Sequence, residues 1–365
     1  MSDIICNNGY AYPSPAVFVQ AGCQMQAQSG IENDLLLKFL PFRREPMADM
    51  IVFQYTNIFC GLQQYRGLGN ALPNANLEEA MTECAVRPSY WGEEAGVSEV
   101  DLTRRAVRTG NGCNTPVDIT DLLGFRQKWL MVRRNNRIKK LVADALVFGT
   151  YEVVEQNTGA VIQRQKYNIN ETTSLIPWSD PVNSTPLLDL LNWRNYYEQR
   201  TFSKFGSCAK LVMNRNTFTK FMRNTNPANW RTLLGEYCCQ GKSLAQINAL
   251  LEAHDLPQIE IYNETYFDCE LTRGPIMSNQ LAPKKFFLPD DYAVIVGCCE
   301  DSGNRVGNFW FTRNVNTCGN TPDAGPVELV NDYCDKPPRR ITVGSYWNGG
   351  PAIEIPKAII SARVG

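Results

Sequence analysis

The chain has 365 residues, 44% of them hydrophobic, which is enough for a large core and too many for a disordered polymer. Lysine and arginine total 36 against 37 acids, and this balance lacks the basic excess with which a dedicated DNA- or RNA-binding protein gathers phosphates. No run approaches the roughly 18 apolar residues of a membrane-spanning helix, and Met1-Ser2-Asp3-Ile4 does not open a secretory signal, so the sequence reads as a protein made and kept in a cytosol until something releases it.

Residues 1–46 hold prolines at 13, 15, 41 and 46, glycines at 9, 22 and 30, and one apolar cluster, Leu35 to Leu40. This predicts an extended arm, and Phe18, Leu36, Phe39 and Phe42 predict that it lies along another surface, because an arm cannot bury itself. In residues 47–107, Met50 to Phe59 is β-branched and aromatic and reads as a strand. Gly61, Gly67, Gly69 and Pro73 follow, then a polar stretch with Tyr90, Trp91 and Gly92, then Val97 to Val107, whose alternation reads as a second strand. Two strands joined by a poorly cored excursion predict a protruding hairpin, which needs a surface to rest on.

Asp118 to Gly149 is the long segment with helical apolar spacing throughout. Ile119, Leu122, Leu123, Trp129, Leu130, Ile138, Leu141, Val142, Ala145 and Leu146 predict one apolar stripe, not a rod buried all round. Thr115, Pro116 and Asp118 mark the start and Gly149 the stop. At about 1.5 Å per residue the helix would run roughly 45 Å, a spine for other pieces.

Thr150 to Val154 and Val161 to Ile169 flank the turn Asn157-Thr158-Gly159, a hairpin expected to pack on the stripe. Prolines at 177, 181 and 186 mark a boundary. Beyond it come a helix from Thr185, a strand Ala209 to Met213 entering a helix capped by Asn214 or Asn216, an amphipathic helix Ser243 to Ala253, and strands at Ile259 to Tyr262 and Tyr292 to Gly297. Arg340 to Val343, Ile353 to Ile355 and Ala358 to Val364 are strand-like again, with a turn read at Gly349-Gly350-Pro351.

Catalytic chemistry finds little support. The one histidine, His254, ends a helix, where a cation suits the dipole. There is no G-x-S-x-G elbow and no Walker A pattern, and Gly67-Leu68-Gly69 lacks the third glycine of a dinucleotide site. The sequons at Asn170, Asn183 and Asn263 read as chance matches without a secretory signal. The 13 cysteines contain no CxxC, and the doublets Cys238-Cys239 and Cys298-Cys299 suit no tetrahedral metal, so no metal, cofactor or catalytic residue is assigned. Their odd number leaves at least one thiol without a partner in its own chain, and cross-links between subunits are expected in an oxidising medium. Arg133, Arg137 and Lys140 share one side of the long helix, which is either a solvated face paired with nearby acids or a face turned toward a polyanion.

The order of parts resembles the tailed-bacteriophage major capsid proteins. Leu141 to Val153 is similar to that family's helix end running through a glycine into a hairpin, Ser207 to Phe221 to its axial strand and helix, and Ile259 to Tyr266 with Phe287-Leu288-Pro289-Asp290 to its tyrosine and Phe-Leu-Pro-Asp segment, in the lambda-type branch (the major capsid protein E family). The resemblance runs from about Pro46 to the C-terminus. It implies an α+β capsid fold divided into an N-terminal arm (1–46), an extended hairpin loop (47–107), a peripheral domain with the spine helix (108–173 and 333–365) and an axial α/β domain (174–332). It further implies a non-catalytic shell protein in the virion capsid, assembled in the host cytoplasm from hexamers and pentamers of identical subunits. Packaged double-stranded DNA would be touched non-specifically, through Arg133, Arg137 and Lys140 if that side faces the lumen. Portal, scaffold and cement or decoration proteins are the other implied partners, with no membrane. Phe18, Phe39, Phe42, Tyr65, Arg66, Tyr90 and Trp91 are the expected inter-subunit contacts. An encapsulin-like compartment and a soluble cysteine-dependent enzyme are the competing readings. The polar insertion at Thr82 to Ser98 and the many cysteines depart from the family pattern.

Overall fold

The N-terminal segment folds onto the rest of the chain instead of trailing from it. The computed structural model describes residues 4–7, 10–45, 50–56, 81–97, 99–109, 117–154, 159–229, 242–267, 284–299, 302–313, 325–333 and 340–365. Strands β1 (Ile4–Asn7) and β2 (Tyr10–Pro13) form a hairpin, helix α1 (Pro15–Gln28) starts on a proline, and the short helix α2 (Leu35–Phe39) is capped by Asp34, whose Oδ1 accepts from the Leu36 amide at 3.0 Å. Strand β3 (Phe42–Glu45) then joins a sheet of the main body. The surface on which the expected arm lies is thus this chain's own body. Leu36, Leu37, Phe39 and Leu40 are 0–3% exposed in the main core, because a five-residue apolar cluster is cheaper to bury in its own chain than to leave in water.

Strands β4 (Ile51–Thr56) and β5 (Met81–Val86) pair antiparallel, and β6 (Ser89–Val97) leaves them to join the main sheet. The second hairpin strand therefore lies inside the stretch read as an excursion. Beyond Val97, the last residue of β6, the stretch read as a strand to Val107 is taken by helix α3 (Glu99–Thr109), since after Leu102 the alternation breaks at Arg104-Arg105 and the next apolar residue, Ala106, falls one helical turn on. After the short β7 (Val117–Asp118) comes the spine helix α4, Thr120–Phe148, which ends at Gly149 with φ 60°, a left-handed cap that suits glycine. Asp118 Oδ1 accepts from the Thr120 amide at 2.9 Å, so the predicted start is correct to within two residues. Those bonds, with Arg105 nearby, hold the Asp118 carboxyl below its usual range.

Strands β8 (Thr150–Val154) and β9 (Val161–Lys166) form the hairpin expected after the helix, with Tyr151 and Val153 in the core beside Leu141 and Leu146. Next come β10 (Asn170–Thr173), α5 (Pro186–Glu198), β11 (Lys210–Met213) and α6 (Arg215–Met222), capped by Asn214 through the Thr217 amide. Helix α7 (Leu244–Ala253) carries a capping box from Ser243 and Gln246. Strands β12 (Gln258–Ile261), β13 (Thr265–Phe267), β14 (Lys284–Phe286), β15 (Tyr292–Val296), β16 (Gly307–Thr312), β17 (Val327–Tyr333), β18 (Arg340–Ile353) and β19 (Ile359–Arg363) complete the α+β fold.

Two five-stranded sheets organise these parts. In one, β18 pairs with β6, β17 and β16, and β16 pairs parallel to β3. The other runs β10-β19-β15-β11-β12. The pairing crosses the expected boundaries: β3, β6, β16 and β17 hydrogen-bond into the β18 sheet, while β10 and β19 lie in the β15 sheet. Nor is Gly349-Gly350-Pro351 a turn. It lies within β18, where a Cβ on Gly349 would strike the Trp310 carbonyl and one on Gly350 would come within 2.9 Å of the Tyr151 hydroxyl. The glycines serve close approach of neighbouring chain, not chain reversal.

Alternation along β15 shows how the layers stack. Ala293 and Ile295 face a core with α5, α6 and α7, while Val294 and Val296 face the core containing the C-terminal half of α4. That half of the spine is enclosed by both sheets, so Leu141, Val142, Ala143, Ala145, Leu146 and Val147 are all at most 3% exposed. The expected single stripe holds only for the N-terminal half. There Leu123 and Leu130 pack against Phe18, Val97, Ile341 and Val343, while Trp129, assigned to the stripe, is exposed.

One side-chain device protects an open edge. The amide of Asn248 accepts from the Ile259 N–H at 2.8 Å and donates to the Ile259 carbonyl at 3.0 Å, imitating a strand on the side of β12 where none pairs among the described residues.

Candidate assembly surfaces

The basic side of α4 is paired within the chain. Arg133 meets Glu93 of β6 at 2.6 Å and lies 4.8 Å over the Trp129 ring. Arg137 lies 5.4 Å over Trp91, which stacks on Trp347 at 5.4 Å, and Lys140 bonds Asp144 one turn on. The helix thus uses this side mainly to hold β6 down.

One turn away lies a charged pair in a dry setting. Arg134 and Glu328 are bonded with side chains 3% and 5% exposed, and Arg134 also donates to Gln26 Oε1 at 2.7 Å. Gln127 Nε2 donates to the Phe18 carbonyl at 2.9 Å. Gly22 makes room for this contact, since a Cβ there would fall 2.6 Å from Glu328 and 2.7 Å from Gln127. Helix α1 is therefore tied to the spine and to β17 by one buried polar cluster. Burial pulls the Arg134 guanidinium down to about 10.

A third junction joins α2, the spine and the end of β12. Lys139 Nζ lies 2.7 Å from Asp34 and 3.2 Å from Glu264, and the Tyr262 hydroxyl donates to Asp34 at 3.0 Å. Burial works against the Lys139 charge, but the bonds and charges of Asp34 and Glu264 outweigh it and hold its pKa above the ordinary 10.5. Because the folded value lies above the unfolded one, this contribution is complete at lower pH and is lost as pH rises through the folded value. Lys139→Met should cost about 1–3 kcal/mol near neutrality, since it leaves the buried Asp34 carboxylate short of a partner. In urea titrations across the alkaline range, the difference from the parent should shrink as pH climbs past 10.5.

The seven residues expected between subunits divide. Phe18 and Phe39 are 3% exposed and pack in this chain's own cores, which corrects their assignment, and Phe42 lies among Phe309 and Phe311. Trp91 is half-buried in the stack with Trp347, Tyr90 is 71% exposed, and Tyr65 and Arg66 lie outside the described residues. The outer face of α4 carries a row that sequence reasoning missed: Phe125, Trp129 and Val132 are 66%, 44% and 47% exposed at steps of four and three. The spacing was visible, but the buried stripe beside it masked the signal. His254 is exposed at the end of α7.

No family model matches the sequence, and no curated protein matches it either. Solved structures do. A crystal structure described as a prophage capsid protein of Escherichia coli CFT073 superposes with a TM-score of 0.51 at 11% identity, covering 93% of this chain and 98% of that one. The chain has a phage capsid fold. Two further likenesses are a phage-related protein of Bordetella bronchiseptica RB50 (TM-score 0.49, 11% identity, 99% and 97% covered) and the capsid of Myoviridae phage XM1 (0.47, 10%, 90% and 90%). In the capsid fold seen here, the long helix, the flanking hairpin and the α/β layer follow the order that the sequence resemblance implied.

Proposed function

We propose that this chain is the major subunit of an icosahedral shell, built from hexamers and pentamers of identical copies around packaged double-stranded DNA. The observation that supports it most is the extent of the capsid likeness: it spans nearly all of both chains, so what is shared is a whole subunit and not a module. In this reading the protein works by repeated contacts, not catalysis. It assembles in the host cytoplasm and ends in the virion, with portal, scaffold and decoration proteins as further partners. The β15 sheet with α5 to α7 serves as the axial unit, and the β18 sheet with the spine as the peripheral unit. The β4–β5 hairpin is the extension. DNA contact through Arg133, Arg137 and Lys140 would be weak, because each already engages a group of its own chain.

Phe125, Trp129 and Val132 are proposed contact residues, since an exposed apolar row on one helix face suits an interface core. Replacing all three with serine should leave the thermal midpoint near that of the parent and abolish particles, at a loss of about 2 kcal/mol per anchor. Sedimentation velocity would show slow subunits only; intact shells would remove this face from the interface. For the function itself, electron microscopy of the purified protein should show closed shells of uniform size. Monomers or dimers under all salt and concentration conditions would overturn the reading, and shells that hold protein cargo would assign it to a compartment instead.

A further inference from the structure

An open cleft of about 360 Å³ lies at the C-terminal end of the spine helix. Register places Tyr292, Arg363 and Thr173 side by side across β15, β19 and β10, with Glu171 two residues back on β10, opposite Ser361. Side chains two apart on a strand share a face, and the Ser361 hydroxyl donates to the Val147 carbonyl of α4, so this group faces the end of the helix. Phe148, the last residue of α4 and 40% exposed, sets its ring edge-on to Tyr292 at 5.4 Å and makes the apolar wall. Glu171 and Arg363 are exposed and have no ion-pair partner among the described residues. Strand spacing puts their Cα atoms about 8 Å apart.

The outer row of α4 has matching content. Asp121, Phe125, Lys128, Trp129 and Val132 fall within one stripe about 100° wide at 3.6 residues per turn. Lys128 stands exposed in the middle of it with no ion-pair partner among the described residues. Asp121, its side chain 82% exposed, bonds Arg105 at 3.0 Å. Asp121 and Lys128 lie about 10.5 Å apart along the axis, close to the charge spacing of the cleft. From Phe125 to Phe148 the helix rises about 35 Å, so the row cannot enter the cleft of its own chain.

We propose that the outer row of one copy seats in this cleft of the next, with Lys128 on Glu171, Asp121 toward Arg363, and Phe125 and Trp129 against Phe148 and Tyr292. The proposal rests on the shell reading and names the surface that the row meets. Pairing Lys128 with Glu171 joins two charges that have no ion-pair partner in the described part of their own chain, whereas two rows laid face to face would leave Lys128 only Asp121, which Arg105 already holds. The C-terminus of α4 adds the negative pole of the helix dipole at the cleft, which favours a cation there. Because row and cleft are different surfaces of one chain, the contact is head-to-tail, and repeated copies close a ring where the rotation permits.

The test is charge exchange in the full chain, read by sedimentation velocity and electron microscopy across a concentration series. Lys128→Glu and Glu171→Lys should each raise the concentration needed for assembly by about tenfold or more, since each sets like charges together across the contact. Both side chains are exposed, so the thermal midpoints should stay near the parent's. The variant with both changes restores opposite charges and should assemble within about threefold of the parent's concentration. Assembly of either single variant at the parent's concentration, or a double variant no better than the singles, would overturn this contact and leave the shell reading standing. Rescue of Lys128→Glu by Asp121→Lys would put two rows face to face and overturn it as well. A parent that forms no assembly at any concentration overturns both.

Discussion

A chain that lacks residues 1–42 is expected to be insoluble or molten, not a folded subunit that merely fails to build particles. The segment places Leu36, Leu37, Phe39 and Leu40 at 0–3% exposure against Ile138, Leu141, Val142 and Phe309. At about 1.5–3 kcal/mol for each large buried apolar side chain, these four alone account for roughly 6–12 kcal/mol, comparable with the about 5–15 kcal/mol that holds a whole domain. Deletion also strips Lys139 of Asp34 and Arg134 of Gln26. Circular dichroism melting and dye binding on the truncated chain give the answer: a cooperative transition near the parent's midpoint would mean that the segment only rests on the body, as an arm laid on a surface would.

The second large effect is expected at Arg134 and Glu328. Glu328→Leu leaves a buried guanidinium with Gln26 and Ser345 as its remaining hydrogen-bond partners among the described residues, and Arg134→Met leaves the carboxylate without its cation, so each single change should cost about 3–5 kcal/mol. The combined variant should be less destabilised than either, because well-packed apolar groups of similar size often replace a buried ion pair at little cost. Chemical denaturation of the parent, both singles and the double closes that cycle. Additive losses would show that the two residues act separately, and that α1 is held by Gln127 and apolar packing alone.

What could be read from the residues follows from how local each signal was. The spine helix, the helices capped by Asn214 and Ser243, and the hairpin after Gly149 were legible because caps, glycine stops and periodicity act within a few residues. Three features were not. Prolines and glycines in residues 1–46 suggested an arm, yet Pro15 begins α1, where its missing N–H costs nothing, and Gly22 is a contact point for Glu328 and Gln127. Gly349-Gly350-Pro351 had turn composition, but Trp310 and Tyr151, distant in sequence, impose the need for small residues. The enclosure of the spine's C-terminal half comes from β19 and β15, whose arrangement no local pattern encodes. For the surfaces, charge spacing located Arg133 and Arg137 but could not reveal Glu93, Trp129 and Trp91 as their partners.

The position of β19 also decides what holds its sheet together. Strand β10 is paired in its sheet by β19 alone among the described residues, in parallel, and β15 has β19 on one side and β11 on the other. Strand β19 is therefore the one backbone tie between β10 and the rest of that sheet. Loss of its pairing would detach β10 and bare one side of β15, a row of unpaired N–H and C=O groups on which another chain could add as a strand.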